Sequence, residues 1–541
     1  MPSITIKAFS GLKPILDPVL LGPGDATEAV NTRLVSGALS PLRATTTLKA
    51  LTKTAPATLF RYGNSAVEAE HWLEFLVDTD IMRSPIANDQ YGRLYWADGT
   101  APRYAPSSLI LSGGLYPGAS YVLGVPAPAT APSITSSTPP PNAAQTETRV
   151  YVYTYVSAYG EEGPPTAASG AVTLDPSASA TVSVPSVGPG GSYNIATKRI
   201  YRSSTVGFAA EFQFVAEIPV ATTSYVDNKG QAELGEVLPS AEWVPPPAGL
   251  RGLKALANGA AIGFVDNTVY LSEPNLPHAW PHQYPIDAQV VGIGVFRQSA
   301  AVLTNGKPYL MSGADPQAMA PEKMELEQAC VSRGSIVETG DGVLYASPDG
   351  LVSIGAGGIE IVTSKLLTRE QWQAYNPPSI RGFTHDNRYH ALYTTTGGQR
   401  GVLIFDFSGQ GAAMTRSDVN AATAITAGYS DARTDTLYFA QGTNIVRFNA
   451  GSALSYAWRS KRFRLPRPAN MACGQVLAAS YPVTMKVYAD GSLVATKSVE
   501  SASPFRLPSG YVARDYEIEL TGQHEITEAS IATSMAELAA S

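Results

Sequence analysis

The stretch LYASPDGLVSI, residues 344–354, is echoed by VYLSEPNLPHA from 269, ALYTTTGGQRGVLIF from 391 and LYFAQGTNIVRF from 437. Each echo has an apolar residue before a tyrosine, a few small or polar residues that can turn, and a second apolar run. That is the pattern of two strands joined by a tight reversal. Aligned on the tyrosine, the copies fall at Tyr270, Tyr309, Tyr345, Tyr393 and Tyr438, at intervals of 39, 36, 48 and 45 residues. A four-stranded propeller blade takes roughly 40–50 residues, and radial repetition protects the strand edges that an open sheet exposes. The spacing therefore predicts an all-β chain with a β-propeller core, to which LYWADGTAPRY from residue 94 adds a further copy. A solenoid would need a stricter period and stacked small residues, and the echoes have neither.

At 541 residues the chain exceeds one ordinary core, so roughly two to four domains are expected unless the repeat absorbs the length. Residues 126–145 carry six prolines and WVPPPAG at 243–249 carries three more, which marks two semi-rigid linkers. Between them Val150, Val152 and Val156 alternate with Tyr151, Tyr153 and Tyr155, a strand with apolar or aromatic groups on both faces. Further short strands are expected at TVSV, TKRIYRS and FQFVAEI, giving an inserted β-sandwich that resembles a fibronectin type III module. Past residue 455, VTMKVYADGSLVATKSV predicts a hairpin turning at Asp490-Gly491. RDYEIELTG alternates Tyr516, Ile518 and Leu520 with Asp515, Glu517 and Glu519, one face buried and the other wet. ASIATS supplies a final strand. The expected organisation is a segment at 1–50, a propeller at 51–125 and 248–454, the insert at 126–247 and a C-terminal antiparallel β-domain at 455–541.

Residues that would carry chemistry are sparse. A net charge of -7 argues against a global electrostatic grip on nucleic acid, which needs clustered cations. Two cysteines, Cys330 and Cys473, cannot build a disulfide framework or a four-cysteine zinc site, and both are expected to be small buried residues. MPSITIKAFSGLKPIL lacks the charged start and apolar core of a signal peptide, and no run approaches the ~18 apolar residues of a membrane span, so folding in a cytoplasm is expected. HExxH, the P-loop, G-x-S-x-G and the dinucleotide fingerprint are all missing from the sequence. His278 and His282 have the i, i+4 spacing of zinc ligands, but the prolines of LPHAWPHQYP prevent the helix that spacing presumes. His385 and His390 flank DNR at a hairpin turn without a visible third ligand. Asp78 and Asp80 in LVDTDIM lack the glycine and distal glutamate of a calcium loop. Glu161-Glu162 reads as a solvated turn rather than an acid/base dyad. SPDG at Ser347–Gly350 resembles the blade turn of sialidases, but its aspartate sits one residue too close to the glycine, and Leu351 and Val352 replace the trailing aromatic. No catalytic residue, metal or cofactor is assigned. Basic residues concentrate once, in WRSKRFRLPR, where Arg459, Lys461, Arg462, Arg464 and Arg467 form either a contact for an acidic partner or DNA, or a solvated edge strand. On one continuous strand Arg462 and Arg464 would share one face, and Arg459 and Lys461 the other.

Three phrases together resemble the nozzle or tail-tube proteins of short-tailed bacteriophages. They are GPGDATEAVNTRLVSGALSPLRA near the start, TKRIYRSSTVGFAAEFQFVAEI with TTSYVDNKGQAELGEVLPS in the insert, and PFRLPSGYVARDYEIELTGQHEITEASIATSMAEL at the end. The resemblance spans most of the chain. It implies a virion protein of the phage tail, assembled in the host cytoplasm, that forms a homohexameric ring with a β-propeller body and added β-domains. It further implies contacts with portal and adaptor proteins and with tail fibres or spikes. The packaged DNA would be retained and then released through the channel without sequence-specific binding, with no direct membrane insertion and no catalytic residues. The segment at 1–50 would serve for docking. A receptor- or carbohydrate-binding propeller of a phage tail is the alternative, and it would show an exposed aromatic-lined pocket.

Overall fold

The computed structural model describes residues 3–136, 146–186, 188–204, 211–407 and 413–540. The second half of the first proline-rich stretch, 137–145, and part of the TKRIYRSSTVGFAAE phrase lie outside these residues. The chain is all-β, about 46% strand against 5% helix, divided among many small sheets. It splits into a first unit of residues 1–78, 303–309 and 323–541 and a second of 79–302 and 310–322.

In the first unit the opening phrase folds as expected. Gly342–Ala346 and Leu351–Gly355 pair antiparallel with Tyr345 opposite Val352, and Val337–Glu338 and Gly358–Ile361 complete a four-stranded meander. The Ser347 hydroxyl accepts from the Gly350 N–H and donates to the Gly350 carbonyl, closing the reversal. Tyr345 is fully buried, its hydroxyl donating to the Gln328 carbonyl. Tyr309 and Tyr438 are core residues too, and the Tyr438 hydroxyl donates to Glu68, whereas Tyr270 and Tyr393 are half-buried and pack against a core. The tyrosine's place within the sheets is not constant. Tyr345, Tyr393 and Tyr438 stand on second strands, Tyr270 and Tyr309 on third strands. The short interval of 36 residues between Tyr309 and Tyr345 is this change of strand.

Two more sheets follow in this unit. Arg381–His385, Arg388–Thr394, Arg400–Asp406 and Ala413–Ser417 form one. Ile425–Asp431, Thr436–Gln441 and Asn444–Arg447 form the other, whose fourth strand is Thr46–Ala50 from near the N-terminus. The two pack face to face over Leu392, Val402, Ile404, Leu437, Phe439 and Phe448, each burial contributing about 1.5–3 kcal/mol. Leading strands of successive sheets lie side by side: Val337–Glu338 against Arg381–His385, that against Ile425–Asp431, and that against Thr58–Arg61.

Ala413–Ser417 continues through Ala26–Val30 into Tyr456–Ser460, Ala513–Gly522, Val483–Ala489 and Ser492–Val499. The 483–499 hairpin turns at Asp490 (φ 44°) and Gly491 (φ 83°), as its sequence requires. Ser3–Ile6 pairs along its length with Ile526–Ala532, the expected last strand. Tyr516, Ile518 and Leu520 are fully buried, as the alternation predicts. The opposite face is not wet: Glu517 and Glu519 are 5% and 8% exposed, because arginines and lysines of neighbouring strands cover them.

The second unit repeats the pattern. Asp80–Arg83, Leu94–Ala97, Arg103–Ala105 and Tyr121–Val122 make one sheet, and Arg251–Ala255, Ala261–Val265, Thr268–Leu271 and His282–Pro285 another. They share a core of Met82, Tyr95, Tyr104, Leu253, Ala261 and Trp280. Their leading strands are adjacent, and Val290–Phe296 follows against the second. Between these sheets in sequence stands the sandwich, with Tyr151–Ser157, Ile195–Ser204 and Glu211–Pro219 on one side, and Ser133–Ser136, Ala180–Ser183 and Ser224–Asp227 on the other. Tyr151, Tyr153 and Tyr155 point into its core with Ile200, Val182 and Leu174. Val152 packs on the reverse face with Tyr201 and Leu238.

Candidate functional site

The first unit contains a cavity of about 430 Å³, bordered by residues 9–11, Lys13, residues 32–35, the tip of the 381–394 hairpin and Phe448 with Asn449. At the hairpin tip Asp386 (φ 52°) and Asn387 (φ 56°) form a two-residue reversal, a conformation that Asp and Asn tolerate. Asp386 Oδ2 accepts from Arg33 Nη2 at 2.8 Å and from Arg388 Nη1 at 2.7 Å, and Arg388 Nε donates to Asp406 Oδ2 at 2.8 Å. A ladder of alternating charge, Arg33, Asp386, Arg388 and Asp406, thus runs along the wall. Burial pushes the Asp386 carboxyl up, but bonding and charge from Arg33 and Arg388 outweigh it and hold the group below its ordinary range.

His385 and His390 do flank this turn, as their spacing suggested, and both line the cavity. His385 Nδ1 lies 2.9 Å from the Asp435 carbonyl oxygen, and His390 Nδ1 lies 3.2 Å from that of Arg388. A carbonyl only accepts, so each Nδ1 carries the proton. Burial, with help from His385, depresses the His390 pKa to about 3, so its ring is neutral. The two rings are 5.8 Å apart and meet Phe448 edge-on at 5.7 and 5.3 Å. Among the described residues, no group of three or more His, Cys, Asp or Glu is placed to hold a metal ion. Sequence reasoning singled out the two histidines but missed Arg33, Arg388 and Asp406, since ordinary strand residues become a ladder only when three segments converge.

The basic run is not one strand. Tyr456–Ser460 and Phe463–Ala469 pair in succession with Ala513–Gly522, Arg459 opposite Glu519 and Phe463 opposite Tyr516. Four steps on one strand therefore span three on the other, which is a bulge. The extra residue ends the expected alternation of faces and turns both Arg459 and Arg462 onto Glu517, the latter at 2.8 Å. Arg459 also stacks 3.8 Å over Tyr488. Arg464 forks onto Asp515 with two bonds of 2.8 Å, and Lys461 donates to the Leu21 carbonyl. Arg467 is exposed on the same segment.

Glu161 and Glu162 are not solvated. Glu161, 6% exposed, accepts from Arg93 Nη1 at 2.7 Å and from Tyr104. Glu162, 3% exposed, accepts from Arg199, Tyr201 and Thr154. A Gly-flanked pair of acids looks exposed in sequence, but here each meets an arginine that sequence places far away. Asp80 opens a strand and accepts from the Gly252 N–H. His282 contacts Glu273 at 3.1 Å, while His278 is buried against Trp243. Both cysteines are buried, and burial pushes the Cys330 thiol up to about 12.

No protein-family model matches the chain, and no curated protein matches it. Solved structures match it weakly. A mitotic checkpoint complex structure aligns over 77% of this chain and 98% of its own, at 10% identity and TM-score 0.29. The N-terminal domain of Nup159 aligns over 60% and 87%, at 9% identity and TM-score 0.27. The extracellular domain of a hybrid two-component system from B. thetaiotaomicron aligns over 91% and 72%, at 9% identity and TM-score 0.26. Likenesses this weak carry no argument about function.

Proposed function

We propose that this chain is a structural subunit of a short-tailed phage tail, of the nozzle type, whose successive four-stranded sheets are propeller blades and whose insert is a fibronectin-like lobe. The observation that carries the reading is the Thr46–Ala50 strand, which completes the sheet begun by Ile425–Asp431. An early strand closing a late sheet is how radially repeated sheets avoid a free edge. Side-by-side leading strands within each unit support the same arrangement. So do the phrase resemblances at the two ends and in the insert.

The subunit has a mechanical role and no catalytic one: rigid wedges associating head to tail close into a ring around a pore. A chain of net charge -7 suits a wall past which DNA slides, because each free cation on it would add a phosphate contact. Four cations of the basic run are held by acceptors of their own chain and are withdrawn from that role. Purified full-length protein examined by negative-stain microscopy is expected to form hollow six-fold rings. Particles that stay monomeric at the concentrations of assembly, or a ring with a strongly basic lumen, would overturn the proposal.

A further inference from the structure

The cavity beside the 381–394 hairpin has more hydrogen-bonding capacity than its own residues use. Arg33 commits only Nη2 to Asp386, and Arg388 commits Nε and Nη1 to the two aspartates. Arg33 Nε and Nη1 and Arg388 Nη2 have no partner among the described residues. Nε2 of His390 is the bare acceptor of a neutral ring that is 3% exposed and lines the cavity. The Thr32 hydroxyl, on a residue 2% exposed in the same wall, has no partner either. Phe448 supplies an aromatic surface, and Leu34 and Ile404 apolar ones.

This combination excludes the simplest ligands. A metal cation would sit among guanidiniums and lacks a ligand cluster. A phosphate dianion would meet Asp386 and Asp406, which already partly neutralise the arginines. A hydrocarbon would leave His390 and Thr32 buried without partners. What fits is a molecule with one negative charge for the free arginine donors, hydroxyls for His390 Nε2 and the aspartate oxygens, and a carbon face for Phe448. The volume of about 430 Å³ lies within the ~300–1,000 Å³ of small-molecule sites. We propose that this cavity binds a sugar acid, a pyranose ring carrying a single carboxylate, with Arg33 and Arg388 taking the carboxylate and His390 a ring hydroxyl. The inference does not depend on ring assembly, so either can fail without the other.

The test titrates full-length protein by saturation-transfer NMR with galacturonate, galactose, inorganic phosphate and tetragalacturonate. Galacturonate is expected to bind at least tenfold more tightly than galactose, and Arg33→Gln to remove that preference while the protein stays folded by circular dichroism. His390→Gln is expected to weaken both sugars together. Tighter binding of the tetramer identifies the terminus of a glycan as the source, and equal binding a free sugar acid. Galactose binding as well as galacturonate, phosphate displacing galacturonate at equal concentration, or an unchanged R33Q titration would each overturn the proposal.

Discussion

Replacing Asp227 by asparagine tests what holds the sandwich together. Asp227 is fully buried and accepts from Arg202 Nη1 at 2.8 Å, from the Tyr151 hydroxyl at 2.7 Å and from the Lys229 N–H at 3.0 Å. Arg149 stands 3.8 Å away, and both arginines are fully buried. Glu147, the other acid of the group, lies 3.0 Å from Arg149 but 3.9 Å from Arg202. D227N keeps the volume and one acceptor but leaves two buried guanidiniums sharing one carboxylate. Removing one partner of a buried pair costs about 3–5 kcal/mol, a large part of the ~5–15 kcal/mol that holds a domain folded. The hydroxyl of Tyr151, removed in Tyr151→Phe, is a smaller term of about 1–2 kcal/mol. Hydrogen exchange read by mass spectrometry on the full chain separates these. D227N should speed exchange of the Tyr151–Ser157 and Ile195–Ser204 amides by more than about 100-fold, Y151F by about 10-fold, with the 381–447 sheets unaffected. Equal rates in D227N and the parent would show that the pair contributes nothing net, and the reasoning would fail.

Three further outcomes are expected. Burial, with Arg93 adding to it, depresses the His278 pKa to about 4; between there and the ordinary ~6.5 the unfolded chain binds the extra proton, so stability falls as pH drops through that window, by about 2 kcal/mol at pH 5. Urea titrations at pH 7 and 5 should show this loss, and His278→Phe should reduce it; a loss of the same size in H278F would assign it elsewhere. Glu517→Gln releases Arg459 and Arg462, and should both lower stability by about 1–3 kcal/mol and steepen the salt dependence of DNA binding by about one to two ions; unchanged retention on a heparin column would refute the second part. Leu51→Pro removes the N–H that donates to the Thr443 carbonyl at the end of the Thr46–Ala50 strand; it should free the Asn444–Arg447 edge and raise aggregation, measured by light scattering during dilution from urea, whereas clear solutions would argue against the closing role of that strand.

Local pattern was enough for much of the fold. Alternating Val and Tyr at 150–156 required a strand buried on both faces, because side chains project with a period of two, and the Asp490-Gly491 and Asp386-Asn387 turns followed from residues that accept positive φ. Apolar-tyrosine echoes marked strand pairs from 344, 391 and 437, whereas the one from 269 holds a single strand whose partner, His282–Pro285, lies beyond it. Tyr309, Tyr345 and Tyr438 are core residues, and Tyr270 and Tyr393 are half-buried against a core. The spacing of the echoes was less informative, because the same phrase serves second strands in some sheets and third strands in others. What pattern could not supply was pairing across distance. Whether an acid is wet depends on which cation the chain brings to it: Glu161 found Arg93, Glu517 found two arginines through a single-residue bulge, and Arg33 found Asp386 across more than half the sequence. A carboxylate looks the same in sequence whether water or a guanidinium satisfies it, so the charge ladder and its cavity were decided only when the strands came together.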